Sequence, residues 1–164
     1  MSWFSVLVAV LAVVIVLTGL FLLATANRLD RLHVRLDAGW ATLDAALARR
    51  AVVARAVAAA ALDGVEAAAI RQAADVAETA SRAERETAEN DLTKVLGAVA
   101  RATLPPRLSD ELSDAEQRVV IARRVHNDAV RDTLTLRQRR KVRYFKLAGT
   151  APRPEYFEIV EPTP

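Results

Sequence analysis

The stretch that decides the fold lies near the start of the chain, where residues 3–26 read WFSVLVAVLAVVIVLTGLFLLATA without a single charged side chain. As an α-helix this run would span about 36 Å, which exceeds the ~30 Å hydrocarbon core of a bilayer. Trp3 and Phe4 stand where an interfacial aromatic anchor would lie. We therefore predict a transmembrane anchor over residues 1–26.

Two alternatives to an anchor are a buried soluble helix and a cleavable signal peptide. Buried helices of soluble proteins are seldom apolar on all sides over such a length. Ala24-Thr25-Ala26 fits the small-x-small cleavage pattern, but Met1 and Ser2 supply no basic n-region. The apolar run is also longer than the ~7–15 residues of a signal peptide core, so an uncleaved anchor is the better interpretation.

Basic residues follow the apolar run directly and indicate its orientation. Arg28, Arg31 and Arg35 come just after it, whereas no basic residue precedes it. By the positive-inside rule, we expect a single-pass protein with its N-terminus outside the cell membrane and its C-terminal domain in the cytoplasm.

Beyond the anchor, hydrophobic residues recur at intervals of three and four, which is the spacing of one helix face. The first stripe consists of Leu29, Leu32, Leu36, Trp40, Leu43 and Leu47. No proline separates this stripe from the apolar run, so we expect one long helix that continues to residue 62. Asp63-Gly64 is the first strong turn signal after it.

The middle of the chain predicts one long helix from about residue 65 to 104, or two helices if Ser81-Arg82 interrupts it. Its predicted stripe is lined by alanine at first and by larger residues later: Ala69, Ala73, Val76, Ala80, Leu92, Val95, Leu96 and Val99. Pro105 and Pro106 end the region, because proline lacks an amide hydrogen and restricts the residue before it.

The third stripe is the most regular, and we expect its helix to open near Ser109-Asp110. It consists of Leu112, Ala115, Val119, Ala122, His126, Ala129, Thr133 and Leu136, the period of a coiled-coil-like seam. Prolines then predict an extended tail over residues 149–164. The predicted fold class is all-α: a transmembrane helix continues into an antiparallel bundle of three long helices over residues 27–148, or four if the middle helix is broken.

Charge is distributed unevenly along these elements. The net charge is +3 over residues 27–62, −6 over 63–116 and +8 over 117–146, which suits antiparallel packing with complementary flanks. The densest basic cluster consists of Arg137, Arg139, Arg140, Lys141, Arg143 and Lys146. Such a cluster could bind nucleic acid or anionic lipid. No nucleic-acid motif surrounds it, and three helices that alternate in direction would place it at the end far from the membrane.

Composition and motifs argue against an enzyme. Without cysteine the chain has no disulfide, no thiolate-bound metal and no thiol nucleophile. No phosphate-binding loop, dinucleotide fingerprint, nucleophile elbow, zinc-protease or EF-hand pattern occurs. His126 lies on the apolar stripe, where a hydrogen-bonded core histidine is the better interpretation than a general base. We expect no enzymatic activity, no cofactor and no metal.

Two carboxylates, Asp44 and Glu116, could pair across the first and third helices. The basic residues near them in sequence are Arg49, Arg50, Arg123 and Arg124. A network of ion pairs that fixes the helix register is therefore the better interpretation than an acid–base pair.

Several motifs resemble the LemA family. The residues similar to the opening of that family are Asn27, Arg28, Leu29, Trp40, Asp44, Leu47, Arg49 and Arg50. Residues 88–92 and 154–158 also fit. The most specific match lies in the third stripe, where residues 116–119 lead into Arg123, Arg124, His126 and Asn127. The chain departs from the family at residues 51–57, which lack the Asp, Pro and Asn usual there.

The resemblance implies a bacterial protein with one transmembrane helix, a cytoplasmic antiparallel helical domain and no established enzymatic activity. We accordingly expect a scaffold or protein-interaction module at the membrane, either as a homo-oligomer or with a protein partner. The alternative is a basic helical module that binds nucleic acid or anionic lipid through residues 137–146.

Overall fold

All regular structure in the described part of the chain is helical, as predicted, and no strand occurs there. A computed structural model describes residues 3–60, 64–144 and 152–160. Its helices are α1 Trp3–Ala60, α2 Gly64–Thr79, α3 Arg85–Gly97, α4 Pro106–Gln138 and α5 Arg140–Tyr144, with a 3₁₀ turn at Arg101–Thr103. Asp63, half of the predicted turn signal, lies outside the described residues, while Gly64 opens α2 with a positive φ of 62°.

Helix α1 runs unbroken for 58 residues, from the apolar run into the first hydrophobic stripe. The side chains of residues 3–21 are exposed. The hydroxyls of Thr18 and Thr25 donate to the carbonyls four residues earlier, at 2.7 and 2.9 Å. Because these bonds satisfy the threonine hydroxyls within the helix itself, the run can face an apolar solvent. By length and composition, α1 could cross a membrane.

The middle region is broken into α2 and α3, which confirms the four-helix form of the prediction. The face that α2 buries differs from the predicted one: Val76 is exposed, and the buried residues are Ala67, Ile70, Ala74 and Ala77. Alanine occurs on several faces of α2, so it does not select one. Ile70, the one large side chain buried on α2, shifts the buried face by one residue from the predicted stripe.

Helix α4 begins at Pro106, three residues before the predicted start. The amides of Leu108 and Ser109 donate to the carbonyl of Pro105, at 2.9 and 3.1 Å, so Pro105 caps the first turn. Proline is favoured at the first helical position because its missing amide hydrogen would have no partner there. The eight residues of the predicted third stripe are all buried.

Contacts divide the chain into two units, each described by itself. Unit 1 comprises Met1–Asp37 and Ala129–Glu155, and unit 2 comprises Ala38–Asp128 and Tyr156–Pro164. Unit 1 has two small apolar clusters, Leu29 and Leu32 with Leu136 and Val142, and Leu36 with Ala129, Val130 and Leu134. The α1 residues rise in number as their α4 neighbours fall, so α1 and α4 are antiparallel in this unit.

Unit 2 has the larger core, built mainly of alanine, valine and leucine from all four long helices. Helix α3 runs in the direction of α1, because Asp44 and Arg50 of α1 face Arg85 and Glu89 of α3 in the same order. Helices α2 and α4 run against α1, because the end of α2 meets Arg55 of α1 through Asp75 and Glu78, and Gly39 of α1 lies beside His126 of α4. The four helices of unit 2 therefore alternate in direction: α1 and α3 run one way, and α2 and α4 run the opposite way.

Candidate interaction sites

A network of charged side chains connects α1 to α3. Arg50 is 1% exposed and Glu89 0% exposed, and they form an ion pair through Nη2 and Oε2. Arg50 also donates to the hydroxyl of Thr93 at 3.0 Å and to the backbone carbonyl of Glu89 at 3.0 Å. Arg85 reaches the other carboxylate oxygen of Glu89 at 3.1 Å and Asp44 at 3.2 Å. Each buried charge in this network therefore has a partner of opposite sign, which is what burial of charge requires. Among the described residues, only Nε of Arg50 in this network is buried without a hydrogen-bond partner.

Asp44 and Glu116, the two carboxylates that the sequence analysis considered together, have different partners. Asp44 pairs with Arg85, as above, whereas Glu116 accepts two bonds of 2.8 Å from Nη2 of Arg101. The second pair fixes the 3₁₀ turn against α4. An ion-pair network therefore exists, and it includes Arg50. The arginines that meet Asp44 and Glu116 are Arg85 and Arg101, which the sequence analysis did not single out.

An aromatic cluster surrounds Trp40. Its ring lies edge-on to His126 at 5.6 Å and to Phe157 at 5.7 Å between centroids. The guanidinium carbon of Arg82 stands 4.0 Å over the same ring, within cation–π range. A Cβ at Gly39 would lie 3.4 Å from Cα of His126, in van der Waals contact, so the packing of α1 on α4 leaves little room for a larger side chain here. His126 is 1% exposed and therefore lies in the core.

Asn127 holds the C-terminal segment. Its Nδ2 donates to the carbonyl of Phe157 at 3.0 Å, and its Oδ1 accepts from the amide of Phe157 at 2.9 Å. The side chains of Glu86 and Asn90 on α3 accept from the amides of residues 158 and 160, at 2.6 and 2.8 Å. Residues 152–160 form neither helix nor strand, yet Phe157 and Ile159 are buried in unit 2. This part of the predicted tail is a docked segment, which the proline content alone did not indicate.

The other candidate positions lie nearer the surface. Asn27, Arg28, Arg49 and Arg124 are exposed, and Arg123 is half-buried. A surface pair of similar kind joins α1 to α2, where Arg55 meets Glu78 at 2.7 Å and Asp75 at 3.0 Å. The hydrogen bond to Glu78 is the main cause that raises the pKa of Arg55.

The basic cluster begins beside the first stripe of α1 in unit 1. Leu136 of α4 and Val142 of α5 pack on Leu29 and Leu32 of α1, so residues 137–144 begin beside the end of the apolar run. The physical reason is the break in the middle helix, which adds one reversal and brings α4 back along α1. Arg137 donates to the carbonyl of Pro152 at 2.8 Å. In the rest of the cluster, Arg139 and Arg140 are exposed, only the backbone of Lys141 and Arg143 is described, and Lys146 lies outside the described residues.

Within the described ranges, no group of three acidic or histidine side chains could hold a metal ion. Comparison of the chain with protein-family models, curated proteins and solved structures finds no match.

Proposed function

We propose that this chain is a membrane-anchored helical scaffold of the LemA type, which acts through protein contacts at the cytoplasmic face of a bacterial membrane. The observation that carries the proposal is the continuity of α1, which leads without a break from an exposed, charge-free run into the first stripe of the bundle. A helix of this kind anchors a domain to a bilayer and keeps it beside the membrane.

The use of the polar side chains supports the same proposal. Arg50, Glu89 and Glu116 are buried and bonded to other parts of the chain, and Asn127 binds the C-terminal segment. These groups stabilise the arrangement of helices. Recognition is therefore left to the outer surface, where Ile121 is an exposed apolar residue of α4.

Because the chain has no cysteine, single substitutions to cysteine give a clean test of topology. We expect Gln117→Cys to react with a membrane-impermeant maleimide only after the cells are permeabilised, and Ser2→Cys to react in intact cells. The protein should also stay in the membrane pellet during carbonate extraction. Labelling of Gln117→Cys in intact cells, or release by carbonate, would contradict the proposal.

Contact with other proteins is tested by photocrosslinking from the surface of α4 in intact membranes. A crosslinker at position 121 should trap a second copy of the chain or one defined protein in high yield. Position 91 on α3, an exposed polar site, serves as the matched control. Uncrosslinked monomer at position 121, or the same diffuse pattern from both positions, would overturn the scaffold role.

A further inference from the structure

The positive charge of the chain is concentrated in the unit that contains the apolar run. Unit 1 carries eleven arginines and lysines against four acidic residues, whereas unit 2 carries twelve against sixteen. The net charges are therefore +7 and −4. The overall value of +3 conceals this asymmetry.

The fold of unit 1 brings basic residues from distant parts of the sequence to one place. Leu29, which packs against Leu136 and Val142, follows Ala26 by three residues. At ~1.5 Å per residue, this contact lies about 5 Å beyond the end of the apolar run. Residues 137–144 are thereby fixed at the level of the first basic residues of α1.

Four arginines at this level form what we call the arginine cluster: Arg28, Arg31, Arg139 and Arg140. All four are exposed, and none forms an ion pair with another residue of the described part of the chain. Arg35, one turn further along α1, is different because it pairs with Asp132 at 3.2 Å. The arginine cluster is thus a set of guanidinium groups available to an external anion.

We propose that the arginine cluster binds the phosphate groups of anionic phospholipids in the leaflet where α1 leaves the membrane. This inference rests on the proposed membrane anchorage. Guanidinium groups bind phosphate oxygens through two parallel hydrogen bonds, and basic residues beside a span are attracted to anionic headgroups. Tyr144, 83% exposed at the end of α5, is of the residue type enriched at this depth.

The position of the arginine cluster favours lipid over nucleic acid. A bilayer around the apolar run would begin less than one helical turn from Leu29, and would occupy the space that a nucleic acid strand needs to reach all four guanidinium groups. Lipid headgroups, in contrast, lie at that level already.

The test uses the full chain in detergent with added phosphatidylglycerol or phosphatidylcholine, and native mass spectrometry counts the lipids that remain bound. The two test variants are Arg28→Gln with Arg31→Gln, and Arg139→Gln with Arg140→Gln. The matched control is Arg49→Gln with Arg71→Gln. Both arginines are exposed in unit 2, and their replacement removes the same amount of charge as each test pair. Circular dichroism melting verifies that each variant is folded.

We expect the wild type to retain phosphatidylglycerol in preference to phosphatidylcholine. Basic residues near an anionic surface contribute about fivefold each to binding, so each test pair should weaken retention about 25-fold at low salt. The control pair should leave retention unchanged. The pair at positions 139 and 140 is the sharper one, because only the fold places it near the membrane.

Retention that is unchanged in the variant at positions 139 and 140, or that falls equally in the control, would overturn the proposal. Binding to an added oligonucleotide is measured as well. If the variant at positions 139 and 140 lost oligonucleotide binding while its lipid retention stayed intact, the arginine cluster would be assigned to nucleic acid and the proposal would be overturned. Failure of the anchorage is a separate result: carbonate would then release the wild type from membranes. An anchored chain without a preference for phosphatidylglycerol overturns the lipid proposal alone.

Discussion

Replacing Asn127 with alanine should weaken the attachment of the C-terminal segment to the bundle without unfolding the bundle. The amide of Asn127 makes both of its bonds, of 3.0 and 2.9 Å, to the backbone of Phe157. The variant therefore removes these two bonds between α4 and the segment 156–160, while the stripe that α4 buries stays intact.

The size of the effect follows from these two bonds. A neutral hydrogen bond contributes about 1 kcal/mol net, so the loss of both should cost about 2 kcal/mol. That free energy corresponds to a roughly 30-fold increase in the equilibrium constant for opening of the segment. The increase should go no further, because Phe157 still packs edge-on against Trp40 and the amides of residues 158 and 160 keep their partners on α3.

Hydrogen exchange of the full chain in detergent measures the opening directly. The amide of Phe157 should exchange about 30-fold faster in Asn127→Ala, while amides in the middle of α1 keep their protection. Gln117→Ala, an exposed change on the same helix, is the matched control and should leave the segment protected. Unchanged exchange at Phe157, or a loss of protection throughout α4, would refute the assignment of Asn127 to this contact.

Three further substitutions test the packing of α1. Arg50→Met should lower the free energy of unfolding by about 3–5 kcal/mol, since it leaves Glu89 buried without that partner, and adding Glu89→Leu should recover a large part; denaturant titration measures both. Gly39→Leu should cost about 1–3 kcal/mol in the same titration, because even a Cβ there lies 3.4 Å from His126. Arg55→Ala should cost at most about 1 kcal/mol, and its difference from the wild type should shrink in 1 M salt, where the Debye length is about 3 Å.

The stripes of α1 and α4 could be read from the sequence because large side chains recur there at fixed intervals. Leu43, Leu47 and Val119 are buried, as their spacing of three and four residues within the stripes predicts. A stripe that contains leucine and valine identifies one face, because turning the helix would expose them. The same logic places His126 and Thr133, which are polar, in the core.

The face of α2 could not be read in this way. Alanine loses little when it moves from a buried to an exposed position, so an alanine-rich helix has several faces of nearly equal free energy. The partner helices decide among them, and they bury Ala74 and Ala77 in place of Ala73 and Val76. Sequence periodicity does not identify the buried face of a helix whose side chains are too small to favour one face over another.

The polar contacts of the candidate sites were beyond sequence reasoning for a different reason. Arg50 and Glu89 are separated by 39 positions, and Asn127 and Phe157 by 30. Nothing in the local pattern around either residue specifies its partner. The residue types predicted a network of ion pairs, but only the packing of the helices determines which arginine meets which carboxylate.

The basic cluster illustrates how one short break changes a functional conclusion. Its composition and its position at the end of α4 are the same whether the middle region is one helix or two. The direction in which α4 travels depends only on how many times the chain has reversed before it. Residues 80–84, between α2 and α3, supply one additional reversal, and α4 therefore runs back along α1. Leu136 and Val142 then meet Leu29, and the arginines beside them lie next to the apolar run. The proposed binding of lipid therefore depends on a connection more than fifty residues away from the arginines at positions 139 and 140.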